Sequence, residues 1–214
     1  MGIVRAAFFL VGMTVGAGFL TGAELVRFFG EGSVFAFALS CLVSFAANAF
    51  FLRLGRRHGG FGGTMAALFG RGGDAVGCVL LAVAFVPCAG MLAALDALFP
   101  SLGAAASLLG LAVVLVFVRH GTRGVSLLNV LLVPLLLAFV FLLGKAPLRA
   151  ASAGWGNAFL YAFMNAAFSA PALMDAGREV RAPVRAALLA AGCIFLCGAL
   201  ILGAIARAGN PGSP

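Results

Sequence analysis

Apolar residues fill this chain in runs of about twenty, and polar residues collect in the short gaps between the runs. A run of ~20 apolar residues is the length a helix needs to cross a bilayer, whereas membrane barrel strands would alternate over ~10 residues. The pattern predicts an all-α, polytopic membrane helix bundle of about seven transmembrane helices in one domain, residues 1–207, with a short tail at 208–214. The spans fall at about 3–29, 33–54, 75–99, 101–118, 125–144, 154–177 and 183–207. Pro183 suits the first turn of the last span. Pro87 and Pro134 lie inside the third and fifth spans and predict kinks there. Between the second and third spans, Phe61, Met65, Leu68 and Phe69 stand among glycines and read as a short interfacial helix.

Composition agrees with this reading. Of 214 residues, 64% are apolar and 9% charged, with a mean hydropathy of +1.17; a soluble domain carries about 25% charge. The net charge of +8 does not imply nucleic acid, because the basic residues sit at the ends of apolar runs, where they set membrane orientation. With the N-terminus inside, the inner gaps hold Arg5, Arg53, Arg56, Arg57, Arg71, Arg119, Arg123, Arg178, Arg181 and Arg185, against Arg27, Lys145, Arg149 and Arg207 outside. That bias predicts a cytoplasmic N-terminus and an external C-terminus; the plasma (inner) membrane is the expected location. The first apolar stretch is too long for a cleavable signal peptide.

The remaining side chains carry little chemistry. Cys41, Cys78, Cys88, Cys193 and Cys197 all lie in apolar runs without nearby histidine and read as packing residues, so no metal or cofactor is expected. His58 and His120 adjoin basic gaps and read as solvated or lipid-facing. The 21 phenylalanines read as lipid contact, and Trp155 as an outer interfacial anchor. No HExxH, GxSxG or paired His/Asp cluster occurs, so an enzyme is not expected.

The first span is unusual. Gly12, Gly16, Gly18 and Gly22 interrupt it, and Glu24 follows. Glycine weakens a helix interior by about 1 kcal/mol relative to alanine, and a carboxylate near the bilayer centre costs roughly 2.5–3.5 kcal/mol. Two readings are open. Gly12-x-x-x-Gly16 and Gly18-x-x-x-Gly22 match the small-xxx-small packing pattern. Alternatively the helix opens at Gly16-Ala17-Gly18, with carbonyls from Gly12 to Val15 facing a cation and amides around Gly18 and Phe19 facing an anionic group. The sixth span favours the second reading. Asn165, Ser169, Ala170 and Pro171 cluster near its middle, Pro171 removes a helix hydrogen bond, and by charge this span runs opposite to the first. Interrupted helices five spans apart are expected of an inverted-repeat carrier.

The segment Gly16-Ala-Gly-Phe-Leu-Thr-Gly-Ala-Glu24 with Val26-Arg-Phe-Phe29 resembles the first helix of the YkvI-like bacterial membrane proteins, of the amino acid–polyamine–organocation superfamily. The segment with Asn165, Pro171, Gly177 and Glu179 is similar to that family's sixth helix. The resemblance implies a LeuT-type fold with discontinuous helices 1 and 6. It also implies a secondary transporter of amino acids or similar small organic solutes, working by alternating access. That fold has ten spans, so the chain is expected to lack the last three, including an eighth span that completes a cation site with carbonyls corresponding to Gly12 and Val15.

The expected site therefore holds the substrate on Gly16, Ala17, Gly18 and Phe19 of the first span and on Asn165, Ser169, Ala170 and Pro171 of the sixth. Gly12, Val15 and Glu24 are the candidates for coupling to Na⁺ or H⁺. Glu24 has a plainer reading as an ion pair with Arg27 at the interface. Asp96 and Asp175, near span ends, read as capping or pairing residues, Asp175 with Arg178. Asn48 and Asn129 read as interhelical hydrogen-bonding amides. Gating is expected as rocking of spans 1, 2, 6 and 7 against spans 3 to 5. The alternative is a non-transporting membrane scaffold, assembly partner or truncated remnant in which the glycines only pack. For the transporter reading the expected partners are the lipid bilayer and a small organic solute, with no nucleic acid.

Overall fold

The structure, a computed structural model, describes residues 1–15, 19, 22–30, 33–143 and 155–208. Every regular element among them is helical. In chain order these are α1 (Ile3–Thr14), α2 (Ala23–Phe29), α3 (Val34–His58), α4 (Phe61–Phe69), a 3-10 turn (Gly70–Gly72), α5 (Gly73–Leu98), α6 (Ala104–Val118), α7 (Gly121–Leu143), α8 (Trp155–Gly177) and α9 (Pro183–Ala208). Among the described residues, α3, the stretch Phe61–Ala93 and α9 are long and apolar enough to cross a membrane, and α1, α6 and Gly121–Leu135 of α7 are shorter apolar helices. The short helix expected between the second and third runs is α4.

Helix α6 shows what surrounds the bundle. Its residues are apolar on every side, yet Leu108, Leu109, Val113 and Val116 are all more than half exposed, and Ala106 is its buried residue. A helix apolar all round and uncovered by protein is suited to lipid rather than water.

The core lies elsewhere. Helix α3 packs against both α8 and α9, α1 packs against α9 and α7, α5 lies on α4 and α8, and α6 runs along the outside. Lipid tails are as apolar as leucine, so helices in a bilayer associate through close packing of small residues. Helix α8 supplies a row at i, i+4 spacing, Ala158, Ala162, Ala166 and Ala170, all buried. Glycine brings α3 and α8 closest. A β-carbon on Gly55 would strike the Met174 carbonyl, and one on Gly177 would lie 3.0 Å from the Arg56 amide nitrogen and collide with the Leu52 carbonyl.

These contacts also fix directions. The C-terminal parts of α3 and α8 meet at Gly55 and Met174, and their N-terminal parts are linked through Phe37, Phe29 and Tyr161, so the two helices run parallel. Helix α1 runs the other way, because the Met1 amino group donates to the Glu179 carbonyl just beyond α8. Arg5 at the same end donates to Ser126 Oγ (2.9 Å) and to the Arg123 carbonyl (2.7 Å), and Arg123 pairs with Glu179 (3.6 Å). Most of the arginines assigned to one side by the sequence thus gather at one end of the bundle.

In the first span, where an opening is expected, α1 stops at Thr14 and α2 begins at Ala23. Two expectations require correction. The sixth span is not interrupted: α8 is continuous from Trp155 to Gly177 with Pro171 inside it. A proline costs a helix one hydrogen bond and a clash, but Ala170, Leu173 and Met174 flank it at 3% exposure or less, and this packing holds the helix through the defect. Finally, the phenylalanines are not all lipid contacts. Phe9, Phe19, Phe29 and Phe37 are at most 2% exposed, whereas Phe35, Phe50, Phe85 and Phe163 face outward.

Candidate functional site

The chain opens after Thr14. Val15 is extended (φ −89°, ψ 96°), and its N–H donates to the Val11 carbonyl. A helix that ends here leaves the carbonyls of Gly12, Met13 and Thr14 without donors inside α1, and its partial negative charge collects there. Helix α2 starts after Gly22, whose φ of +73° is a left-handed conformation that costs an L-residue roughly 1–2 kcal/mol. Ile201 and Ile205 of α9 also occupy the space a β-carbon would take at Gly22. Residues Gly16, Ala17 and Gly18, the centre of the expected site, lie outside the described residues.

Gly12 meets a partner that its spacing did not announce. The side-chain amide of Asn129, on α7, fills the place of a β-carbon on Gly12, with Nδ2 2.8 Å from that position. Gly12 is therefore a packing position against α7, as well as a residue of the helix end.

Phe19 is fully buried and begins a run of aromatic contacts. Its ring centroid lies 6.2 Å from that of Phe37, which is 5.3 Å from Phe29. Phe29 is 5.2 Å from Tyr161, and Phe28 is 5.1 Å from Tyr161. Phe19 and α8 are thus joined through α3 and α2, and no hydrogen bond among the described residues links Val15 or Phe19 to Asn165, Ser169 or Pro171.

On α8 the polar side chains turn back on their own helix. Asn165 Nδ2 donates to the Tyr161 carbonyl (3.0 Å), and Ser169 Oγ donates to the Asn165 carbonyl (2.7 Å). Such bonds satisfy the side chain locally and bend a helix without breaking it. Ser169, Ala170 and Pro171 are buried and Asn165 is half-buried. The Ala167 carbonyl faces a proline nitrogen that has no hydrogen to donate.

Tyr161 is the residue that sequence reasoning passed over. It is 2% exposed, and no described residue meets its phenolic oxygen in hydrogen-bonding geometry, although the Asn165 side chain lies close enough to influence it. Glu24, half-buried in the first turn of α2, lies within electrostatic range of it. Glu24 is not paired with Arg27: the ion pairs among the described residues are Arg123–Glu179 and Asp175–Arg178. A signal did exist, since the chain has 21 phenylalanines and one tyrosine. A buried hydroxyl without a partner costs about 1–3 kcal/mol, and phenylalanine would pack the same space without that loss.

The two aspartates behave as read. Asp175 accepts from the Phe61 amide (3.0 Å) at the start of α4 and pairs with Arg178 (3.1 Å). Asp96 accepts from the Ser107 amide (2.9 Å) in α6. Among the described residues no group of three His, Cys, Asp or Glu side chains gathers as a metal site would require. Two concavities lined by described residues lie at the basic end, away from Tyr161. Comparison with family models, with curated proteins and with solved structures finds no match for the chain.

Proposed function

We propose that this protein is a transporter-like integral membrane protein. It binds a small organic solute, an amino acid or a similar amine-bearing molecule, beside the opening after Thr14. The carrying observation is the buried Tyr161 hydroxyl, without a partner in hydrogen-bonding geometry among the described residues and within electrostatic range of the Glu24 carboxylate. A solute ammonium group complements Glu24 and the negative end of α1, and a polar atom of the same solute satisfies Tyr161. In this reading α8 contributes side chains and the Ala167 carbonyl rather than an opened backbone. The antiparallel course of α1 and α8, and the packing of α3 on α8 and α9 and of α1 on α9, support alternating access by the partial LeuT-type arrangement. Coupling to Na⁺ or H⁺ belongs to the carbonyls before Val15 and to Glu24. In this reading the arginine-rich end is cytoplasmic by the positive-inside rule, with the N-terminus on the inner side of the plasma membrane and seven spans crossing it.

The test is uptake by the full chain in proteoliposomes, across an amino acid panel with and without Na⁺ or proton gradients. Saturable uptake that falls in Tyr161→Phe is expected; no saturable uptake of any member sinks the amino acid reading. One observation favours the scaffold reading instead: the polar groups of Asn165 and Ser169 are spent within α8. That reading gains if no solute on the panel raises the unfolding temperature of the detergent-solubilised protein.

A further inference from the structure

The end of α3 and the start of α9 form a basic hollow. Arg53, Arg56 and Arg57 fall at i, i+3 and i+4, which places them on one side of α3. Arg185 joins them from the first turn of α9. Together with Ala182, Pro183 and Val184 they line a concavity of about 600 Å³, within the size range of small-ligand sites.

Three features distinguish this hollow from a basic rim that only sets orientation. The charge is uncompensated: neither ion pair among the described residues involves any of these four arginines. Like charges at this spacing repel one another, so the cluster is held at some expense to the folded chain. The wall is also tied in place, because Arg56 donates to the Arg181 carbonyl at 2.8 Å, joining α3 to the segment before α9. The first N–H bonding back in α9 is that of Ala186, to the Ala182 carbonyl, so the helix offers the amides of Val184 and Arg185, and its positive end, to the same space. Four guanidiniums beside free amides recognise phosphate oxygens.

The surroundings indicate which phosphate. Phe50, one turn before Arg53 on α3, is 57% exposed, and Leu188, one turn after Arg185 on α9, is 61% exposed. Apolar surface thus continues from the hollow along both helices, in the direction an acyl chain would take. We propose that the hollow is a phosphate site occupied by the headgroup of an anionic lipid, with the acyl chains lying against Phe50 and Leu188. This assignment does not depend on the transport reading.

The experiment uses the full chain in nanodiscs of phosphatidylcholine containing a minor fraction of phosphatidylglycerol, with retained lipids measured by native mass spectrometry. Phosphatidylglycerol is expected to be enriched over phosphatidylcholine. The enrichment should fall about fivefold for each arginine neutralised in R185Q, R53Q/R185Q and R53Q/R57Q/R185Q. The control R71Q/R119Q removes charge outside the hollow and should leave it unchanged. An enrichment that survives R185Q and R53Q/R185Q, or that falls equally in the control, overturns the proposal. The single R185Q change is at an exposed side chain and keeps the test open if the triple variant does not assemble. A second arm adds inorganic phosphate alone to detergent-solubilised protein. No stabilisation is expected; stabilisation that matches the lipid's and disappears in R53Q/R185Q would assign the hollow to free phosphate and overturn the lipid part.

Discussion

The amide of Asn129 occupies the space that a β-carbon on Gly12 would need. This contact couples α1 to α7 one turn before the chain leaves the helix at Val15. Gly12→Ala is expected to destabilise the protein by roughly 1–3 kcal/mol, the usual range for overpacking. Asn129→Ala in the same chain should restore most of the loss. Thermal unfolding of both single variants and the double variant in detergent measures the coupling; strictly additive effects would show that the two residues do not meet.

Gly55 and Gly177 face backbone rather than a side chain, and a carbonyl cannot rotate away as an amide side chain can. Gly55→Ala and Gly177→Ala should therefore destabilise at least as much as Gly12→Ala, about 3 kcal/mol or more. Gly192, inside α9, has nothing within 4 Å of a built β-carbon. Gly192→Ala should stabilise by about 0.5–1 kcal/mol through helix propensity alone. The order of unfolding temperatures across these variants checks the α3–α8 interface against a generic glycine effect.

Tyr161→Phe keeps the ring contacts to Phe28 and Phe29 and removes only the hydroxyl. Its folding stability is expected to hold or to rise by up to about 1 kcal/mol, while solute uptake falls. Tyr161→Ala should lose roughly 3–5 kcal/mol by opening the aromatic cluster. A substantial loss of stability in Tyr161→Phe would mean that the hydroxyl has a structural partner, and would remove it from the proposed site.

Asp175 both accepts from the first amide of α4 and pairs with Arg178, and the two roles separate by substitution. Asp175→Ala is expected to cost about 1 kcal/mol through the lost cap, and Asp175→Asn much less, since an amide oxygen still accepts. Arg178→Ala should lie within about 0.5 kcal/mol of the parent, because both side chains are about half exposed and the pair is screened by solvent. Denaturation of the three variants at low and high salt would reverse this assignment if Arg178→Ala were the most damaging.

The helices were legible because run length and punctuation act locally. Helices lie at Gly73–Leu98, at Trp155–Gly177 and from Pro183, where the apolar runs stand at 75–99, 154–177 and 183–207. The opening in the first span was legible for the same reason: four glycines weaken consecutive turns. The continuity of α8 was not, because Pro171 carries the same local penalty wherever it stands, and only the tertiary packing of Ala170, Leu173 and Met174 offsets it. The inward phenylalanines were hidden by similar logic. Phe37 and Phe35 are two residues apart in equally apolar sequence, and which one faces the core depends on where α8 and α9 lie. Tyr161 and Asn129 matter through neighbours more than thirty residues away along the chain, a relation that spacing within one helix does not encode.

Gly55 and Gly177 have a mechanical consequence. Where two backbones lie in direct contact, sliding one helix along the other drives carbonyl against α-carbon. The parallel pair α3–α8 therefore behaves as a single stiff strut. Any working motion of the protein is then displaced onto joints the strut does not clamp, such as the extended backbone at Val15 and the left-handed Gly22 and Gly30 on either side of α2.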